Sequence, residues 1–163
     1  QSFVKWLQEL ADKKGLPVHL DCHVLYGGGY QIMLQHALRL HKRGLTRGVY
    51  KGGRFMLVDE DRSDMRDDWP MSRFKKEAKT HGFRVCAQRP NFEGLLWRLL
   101  SGNNHIPPSS AQTVLRQLKI KWPDYQKNAN ARAFGRKFTW QDIQRVSEYE
   151  PDLKIFLKRI GLL

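Results

Sequence analysis

Phe55-Met56-Leu57-Val58-Asp59-Glu60-Asp61 is a continuous apolar run that turns into carboxylates within one residue. Gly52-Gly53 precedes it, and six of the sixteen acidic residues of the chain fall within positions 59–68, before Trp69-Pro70. A short apolar run without alternation is the pattern of a strand covered on both faces, as in a parallel sheet sandwiched by helices. In such a sheet the functional crevice lies outside the carboxyl ends of the strands, which is where Asp59 and Asp61 fall.

Working outward, the pattern alternates between helix and strand. Phe3, Trp6, Leu7, Leu10 and Ala11 recur at helical spacing, predicting a helix over 3–14 that Gly15 and Pro17 end. Val18, Leu20, Cys22 and Val24 alternate with His19, Asp21 and His23, the period of a half-exposed strand. After Gly27-Gly28-Gly29 a second helix is expected over 30–41, closed by Gly44. Beyond the central run come a basic helix over 72–81, a strand over 83–87 and an apolar helix from Phe92 to Leu100 opened by Asn91. This order predicts an α/β fold with a mainly parallel sheet flanked by helices. Strand signals stop after Ser101-Gly102-Asn103-Asn104. Helices are expected over 110–118, capped by Ser109 or Ser110, over 139–147, capped by Thr139, and over 152–160, opened by Pro151. Residues 119–137 hold six basic groups and one acid, and read as a basic, aromatic-punctuated connector rather than a core element. The expected organisation is a core over 1–102 and a helical, basic extension of the same domain over 103–163.

Twenty-nine Lys and Arg against sixteen Asp and Glu leave a net charge of +13 in 163 residues. A surplus of this size suits a polyanionic partner, because neutralising phosphates releases condensed counterions and relieves self-repulsion. A basic but inert surface is the alternative. Cys22 and Cys86 are flanked by apolar residues and read as buried thiols, not a disulfide framework. No apolar run is long enough to span a membrane, so a cytoplasmic protein with no membrane partner is expected.

Spacing of two along an extended chain puts the carboxylates of Asp59 and Asp61 on one side and Glu60 on the other. Two converging carboxylates repel unless a positive charge lies between them. A hard divalent cation, Mg2+ or Mn2+, meets that need with one or two carboxylates and further oxygen ligands. Helix caps and solvated turns show the same short pattern. Glu93 lies in the first turn of the helix opened by Asn91, where the helix dipole favours an acid; alternatively it faces the same crevice as a third carboxylate. The glycine run before residue 30 suits either a phosphate at a helix N-terminus or a flexible turn. His19, Asp21 and His23 suit a metal ion or merely an exposed strand face. Tyr125 and Lys127, with Arg132, Arg136 and Lys137, suit base stacking and phosphate contacts, or an aromatic that pins a basic connector to the core.

The strand ending in Asp59-x-Asp61, the segment Pro90-x-Phe92-Glu93 followed by Leu96-Trp97, and Tyr125-x-Lys127 downstream resemble, in that order, the RloB-like proteins. These form a prokaryotic group associated with restriction and phage-defence loci, within the Toprim superfamily of primases, topoisomerases and OLD-type nucleases. The resemblance extends loosely over most of the chain. It implies a Toprim-like fold in which Asp59 and Asp61 bind the divalent metal. It also implies a third acid in a Glu-Gly segment ending a first strand; that pattern is not found here, and Gln1-Ser2-Phe3 looks like the start of the helix that follows such a strand. The function expected is a metal-dependent nuclease on DNA or RNA serving antiviral defence, with Asp59, Asp61 and Glu93 catalytic and an ATPase from the same locus as a partner. The alternatives are a non-catalytic module that binds nucleic acid or docks on a partner, and a primase-like nucleotidyl transferase.

Overall fold

The computed structural model of the protein describes residues 1–25, 28–46, 53–61, 69–100, 102 and 110–163, with the side chains of 45 and 46 set aside. Its class is mixed α/β. The order is α1 (Ser2–Lys13), α2 (Tyr30–Thr46), β1 (Arg54–Asp59), α3 (Met71–Thr80), β2 (Phe83–Gln88), α4 (Phe92–Leu99), α5 (Ala111–Lys121), α6 (Ala131–Lys137), α7 (Trp140–Ser147) and α8 (Pro151–Arg159). The two strands pair in parallel, with Met56 opposite Val85 and Asp59 opposite Gln88.

Side chains alternate across this pair and feed two cores. Met56 and Val58 join Tyr30, Met33, Leu34 and Ala37 of α2 and Phe74 and Ala78 of α3 on one face. The Tyr30 and Phe74 rings stack there with centroids 4.8 Å apart. On the other face Cys86, with Phe55 and Leu57 packed alongside, joins a larger core that runs from Phe3 to Leu162. Three layers result, helices enclosing the sheet on both sides, which is what an apolar run without alternation requires. Both cysteines are free thiols, Cys22 half-buried and Cys86 buried. Burial first, and then the negative charges of Asp152 and Glu150, push the Cys86 thiol up to about 12. No helix among the described residues is long and apolar enough to cross a membrane.

Three expectations are corrected. Residues 16–25 join no sheet among the described residues, although burial alternates with period two from Leu16 to His23. The reason is Gln8 on α1: its Nε2 donates to the Val18 carbonyl (3.0 Å), and its Oε1 accepts from the Leu20 N–H (2.7 Å). A side-chain amide thus takes the backbone groups that a neighbouring strand would have taken, and the described sheet has two strands. Second, α2 continues through Gly44 to Thr46; a helical glycine costs only about 1 kcal/mol and need not end a helix.

Third, residues 119–137 are part of the core. They contribute Trp122, Tyr125, Ala131 and Phe134, all buried, and contain α6. Phe134 meets Trp6 and Phe3 of α1 with ring centroids 6.2 Å apart in each case, and Trp122 meets Phe138 edge-on at 5.5 Å. The six charges face outward while the aromatics, at helical spacing, face in. Several boundaries fall where expected: Asn91, Ser110 and Thr139 each cap a helix by accepting from a backbone N–H three residues on. Gly27, the acids at 64–68, Ser101, Asn103, Asn104 and Ser109 lie outside the described residues.

Candidate carboxylate site at the strand mouth

Asp59 is the last residue of β1 and sits on the sheet face of Leu57, toward α4. Its Oδ1 accepts from the Phe92 N–H at 3.0 Å. After a single turn at Glu60, Asp61 reaches the same helix: its Oδ2 accepts from Asn91 Nδ2 at 3.1 Å, and its N–H donates to the Pro90 carbonyl at 2.8 Å. Both carboxylates therefore accept from the N-terminal turn of α4, where orphan N–H groups and the helix dipole favour negative charge. Glu60 pairs with Arg89 (3.1 Å); it lies in the turn that follows β1, so a turn and not the alternation of an extended chain sets its direction. From the far side, the Tyr30 hydroxyl donates to the Asp59 carbonyl (3.0 Å) and the Glu60 carbonyl (3.3 Å), tying the N-terminus of α2 to the same turn.

Glu93 is the second residue of α4 and is buried. Its Oε1 accepts from the Tyr125 hydroxyl at 3.2 Å. Burial foremost, and then the charge of Glu93, this hydrogen bond and the charge of Asp59, hold the Tyr125 phenol far above its ordinary pKa. Tyr125 therefore remains a proton donor at any working pH, and it lies close enough to feel Asp59 as well as Glu93. Being 4% exposed, it offers no face to a nucleic-acid base. It fixes the segment between α5 and α6 to the core instead. Lys127, Arg132 and Arg136 are exposed, while Lys137 donates from Nζ to the Lys121 carbonyl (3.0 Å) and lies over the Trp122 ring.

The turn that carries these contacts, from Arg89 to Gly94, is braced from below. A Cβ on Gly94 would sit 2.2 Å from the Arg89 carbonyl oxygen, so only glycine lets α4 start this close to the end of β2. Arg98, buried one turn further on, donates from Nε to the Gly94 carbonyl (3.3 Å), and its guanidinium reaches the Arg89 carbonyl and pairs with the buried Glu150 at the start of α8. Burial draws the Arg98 pKa down and pushes that of Glu150 up, each opposed by the charge of its partner. The sequence marks Arg98 only as a charge inside an apolar helix, and nothing local names a partner 52 residues away.

As donors for a hard cation, Asp59 and Asp61 are of the right class, carboxylate oxygens held in place by hydrogen bonds from Asn91 and Phe92. A two-carboxylate seat is what Mg2+ commonly uses. No group of three or more His, Cys, Asp or Glu side chains placed to hold an ion occurs among the described residues, so the triplet that adds Glu93 is not gathered; Glu93 is turned to Tyr125. His19, Asp21 and His23 are exposed, with His23 Nε2 3.1 Å from Asp21 Oδ2. Gly28 has φ +103, and a Cβ there would strike Ile32, so this glycine serves the turn into α2. No family model, no curated protein and no solved structure matches the chain.

Proposed function

We propose that the protein is a Toprim-like, divalent-metal-dependent nuclease that cleaves phosphodiester bonds in DNA or RNA and serves prokaryotic antiviral defence, as the resemblance to RloB-like proteins implies. The observation that carries this reading is the meeting of Asp59 and Asp61 at the N-terminal turn of α4. Asp59 and Asp61 would hold the ion, Mg2+ or Mn2+, through their carboxylate oxygens. When bound, the ion polarises the scissile phosphate and stabilises the leaving oxygen. Phe92 N–H and Asn91 Nδ2 keep the two carboxylates from turning away from each other. Glu93, oriented by Tyr125, supports this arrangement from behind Asp59. Exposed cations such as Lys127, Arg132 and Arg136 supply affinity for the phosphate backbone without reading sequence. An ATPase from the same locus is the partner that the resemblance implies.

A second reading is favoured by the same hydrogen bonds. Each carboxylate already serves the start of α4, so the acids can be structural in a module that binds nucleic acid or docks on a partner without cleaving. The two separate on incubation of the protein with DNA and RNA, with and without Mg2+. A nuclease cuts only with the metal, and the Asp59→Asn, Asp61→Asn double variant loses at least roughly a hundredfold in rate. A folded double variant that cuts as fast as the parent overturns the metal site; binding without any cleavage by the parent selects the module.

A further inference from the structure

The opposite, amino end of the strand pair carries a second concentration of charge. Gly53, Arg54, Phe55, Gly82, Arg84 and Arg159 surround an open concavity of about 210 Å³. Arg54 opens β1, Arg84 is the second residue of β2, and Arg159 closes α8. Arg54 and Arg84 stand on opposite faces of the sheet, because Arg84 pairs in register with Phe55. Arg159 reaches the same place because Phe156 of its helix packs against Phe55, with ring centroids 4.9 Å apart. Gly82, at φ +74, leaves room for the Arg54 guanidinium to lie across the strand ends: a Cβ there would be 2.1 Å from Arg54 Nη2. A Cβ on Gly53 would come within 3.3 Å of Arg159 Cγ and Nε. Two side chains of no size thus let two guanidinium groups fold over one floor.

None of the three arginines takes part in an ion pair among the described residues. Arg54 contacts the His41 ring nitrogen and lies over the Phe83 ring, neither of which carries a negative charge to neutralise it. No acid among the described residues lines the concavity. Three arginines around one concavity, with no such carboxylate lining it, leave positive charge uncompensated, and an anion relieves it. Guanidinium forks match phosphate oxygens with paired hydrogen bonds, and a concave surface of one sign focuses its field on such a ligand. Arg54 lies five steps along the strand from Asp59, about 16 Å at the usual rise, so no single phosphate touches both ends.

We propose that this arginine concavity is a phosphate-binding site, separate from the carboxylate mouth, and that it holds a backbone phosphate of a nucleic-acid strand. It does not depend on whether the protein cleaves that strand, and its test reads binding in the absence of divalent ions.

The test compares three forms of the chain: the parent, an Arg84→Gln, Arg159→Gln variant, and a Lys13→Gln, Lys76→Gln control that removes the same charge from exposed positions on α1 and α3. Arg84 and Arg159 are exposed and make no hydrogen bond to another of the described residues, so the pocket variant keeps the fold, which its thermal melt checks. Binding to a fluorescent single-stranded oligonucleotide is followed by anisotropy over a salt series, and binding of inorganic phosphate by calorimetry. The expected result is an oligonucleotide affinity lower by about tenfold or more in the pocket variant and a salt slope smaller by roughly 1.4, about 0.7 for each lost phosphate contact, with the control close to the parent. Loss of inorganic phosphate binding with unchanged oligonucleotide binding keeps the phosphate site and makes free phosphate its ligand. Pocket variant and control behaving alike in both arms overturns the site.

Discussion

The two ends of one strand pair have opposite electrostatics and are built by opposite means. At the carboxyl end every acid has a partner: Asp59 takes Phe92 N–H, Asp61 takes Asn91, Glu60 takes Arg89 and Glu93 takes Tyr125. At the amino end Arg54, Arg84 and Arg159 share one concavity lined by no acid among the described residues. The first end is held by hydrogen bonds before any ligand arrives, as an ion seat requires. At the second only Arg54 is held, by His41 and the Phe83 ring, and the exposed Arg84 and Arg159 give it reach rather than precision. Rigidity at the carboxyl end has a visible source, the brace of Arg98 and Glu150 beneath the turn at 89–94, and the amino end has no equivalent among the described residues.

Removing the brace has the largest expected effect. Arg98→Ala leaves Glu150 buried without its cation and frees the Gly94 and Arg89 carbonyls, a loss of about 3–5 kcal/mol. Domains of this kind hold on the order of 5–15 kcal/mol in all, so urea unfolding at pH 7 is expected to show a midpoint shifted far down. A midpoint within error of the parent breaks the contrast between a braced and an unbraced end.

Glycine substitutions sharpen the same contrast at lower cost. Gly94→Ala drives a methyl group into the Arg89 carbonyl and is expected to cost about 1–3 kcal/mol. Gly53→Ala at the amino end meets only the Phe55 ring edge and the Arg159 stem, at 3.2 and 3.3 Å, and is expected to cost less than about 1 kcal/mol, within the usual range for surface changes. Paired denaturation curves compare them directly. Equal costs would mean that the start of α4 has slack.

A further modest effect lies at the far end of α4, where Arg145 donates to the Leu99 carbonyl (2.8 Å) and to Asp142 (2.8 Å). Burial opposes ionisation of Asp142, but bonds from the Thr139 backbone, Arg145 and the Thr139 hydroxyl outweigh it and hold its pKa below the ordinary value. A carboxylate depressed in this way contributes stability above its unfolded pKa and loses it as pH falls through the folded value. Asp142→Ala is therefore expected to cost about 1 kcal/mol at pH 7, with parent and variant converging in acid. A difference independent of pH would assign the loss to packing.

The parts of this architecture that were legible in the sequence are those set by neighbours in the chain. The run from Phe55 to Val58 gave its strand, Asn91 its cap, and the spacing of Asp59 and Asp61 their common direction. What was not legible depends on residues far apart. Val18 to Val24 carries the right period for a strand, but the amide of Gln8 takes its backbone groups. Phe134 and Phe138 follow Ala131 at helical intervals, a core signal hidden behind six basic charges. Tyr125 reads from its neighbours equally as a ring for base stacking or as an aromatic pinning a basic connector to the core, and its burial favours the second; its partner Glu93 is 32 residues away. Arg54, Arg84 and Arg159 come from three elements, and no local pattern joins them.

The central claim is that Asp59 and Asp61 grip one divalent ion, and sub-stoichiometric Mn2+ added to isotope-labelled protein tests it most directly. The account predicts that backbone amide signals of residues 59–61 and 91–93 broaden first, and that Asp59→Asn, Asp61→Asn abolishes this. Signals that stay sharp there while those around exposed acids such as Asp124 or Glu148 broaden would contradict it.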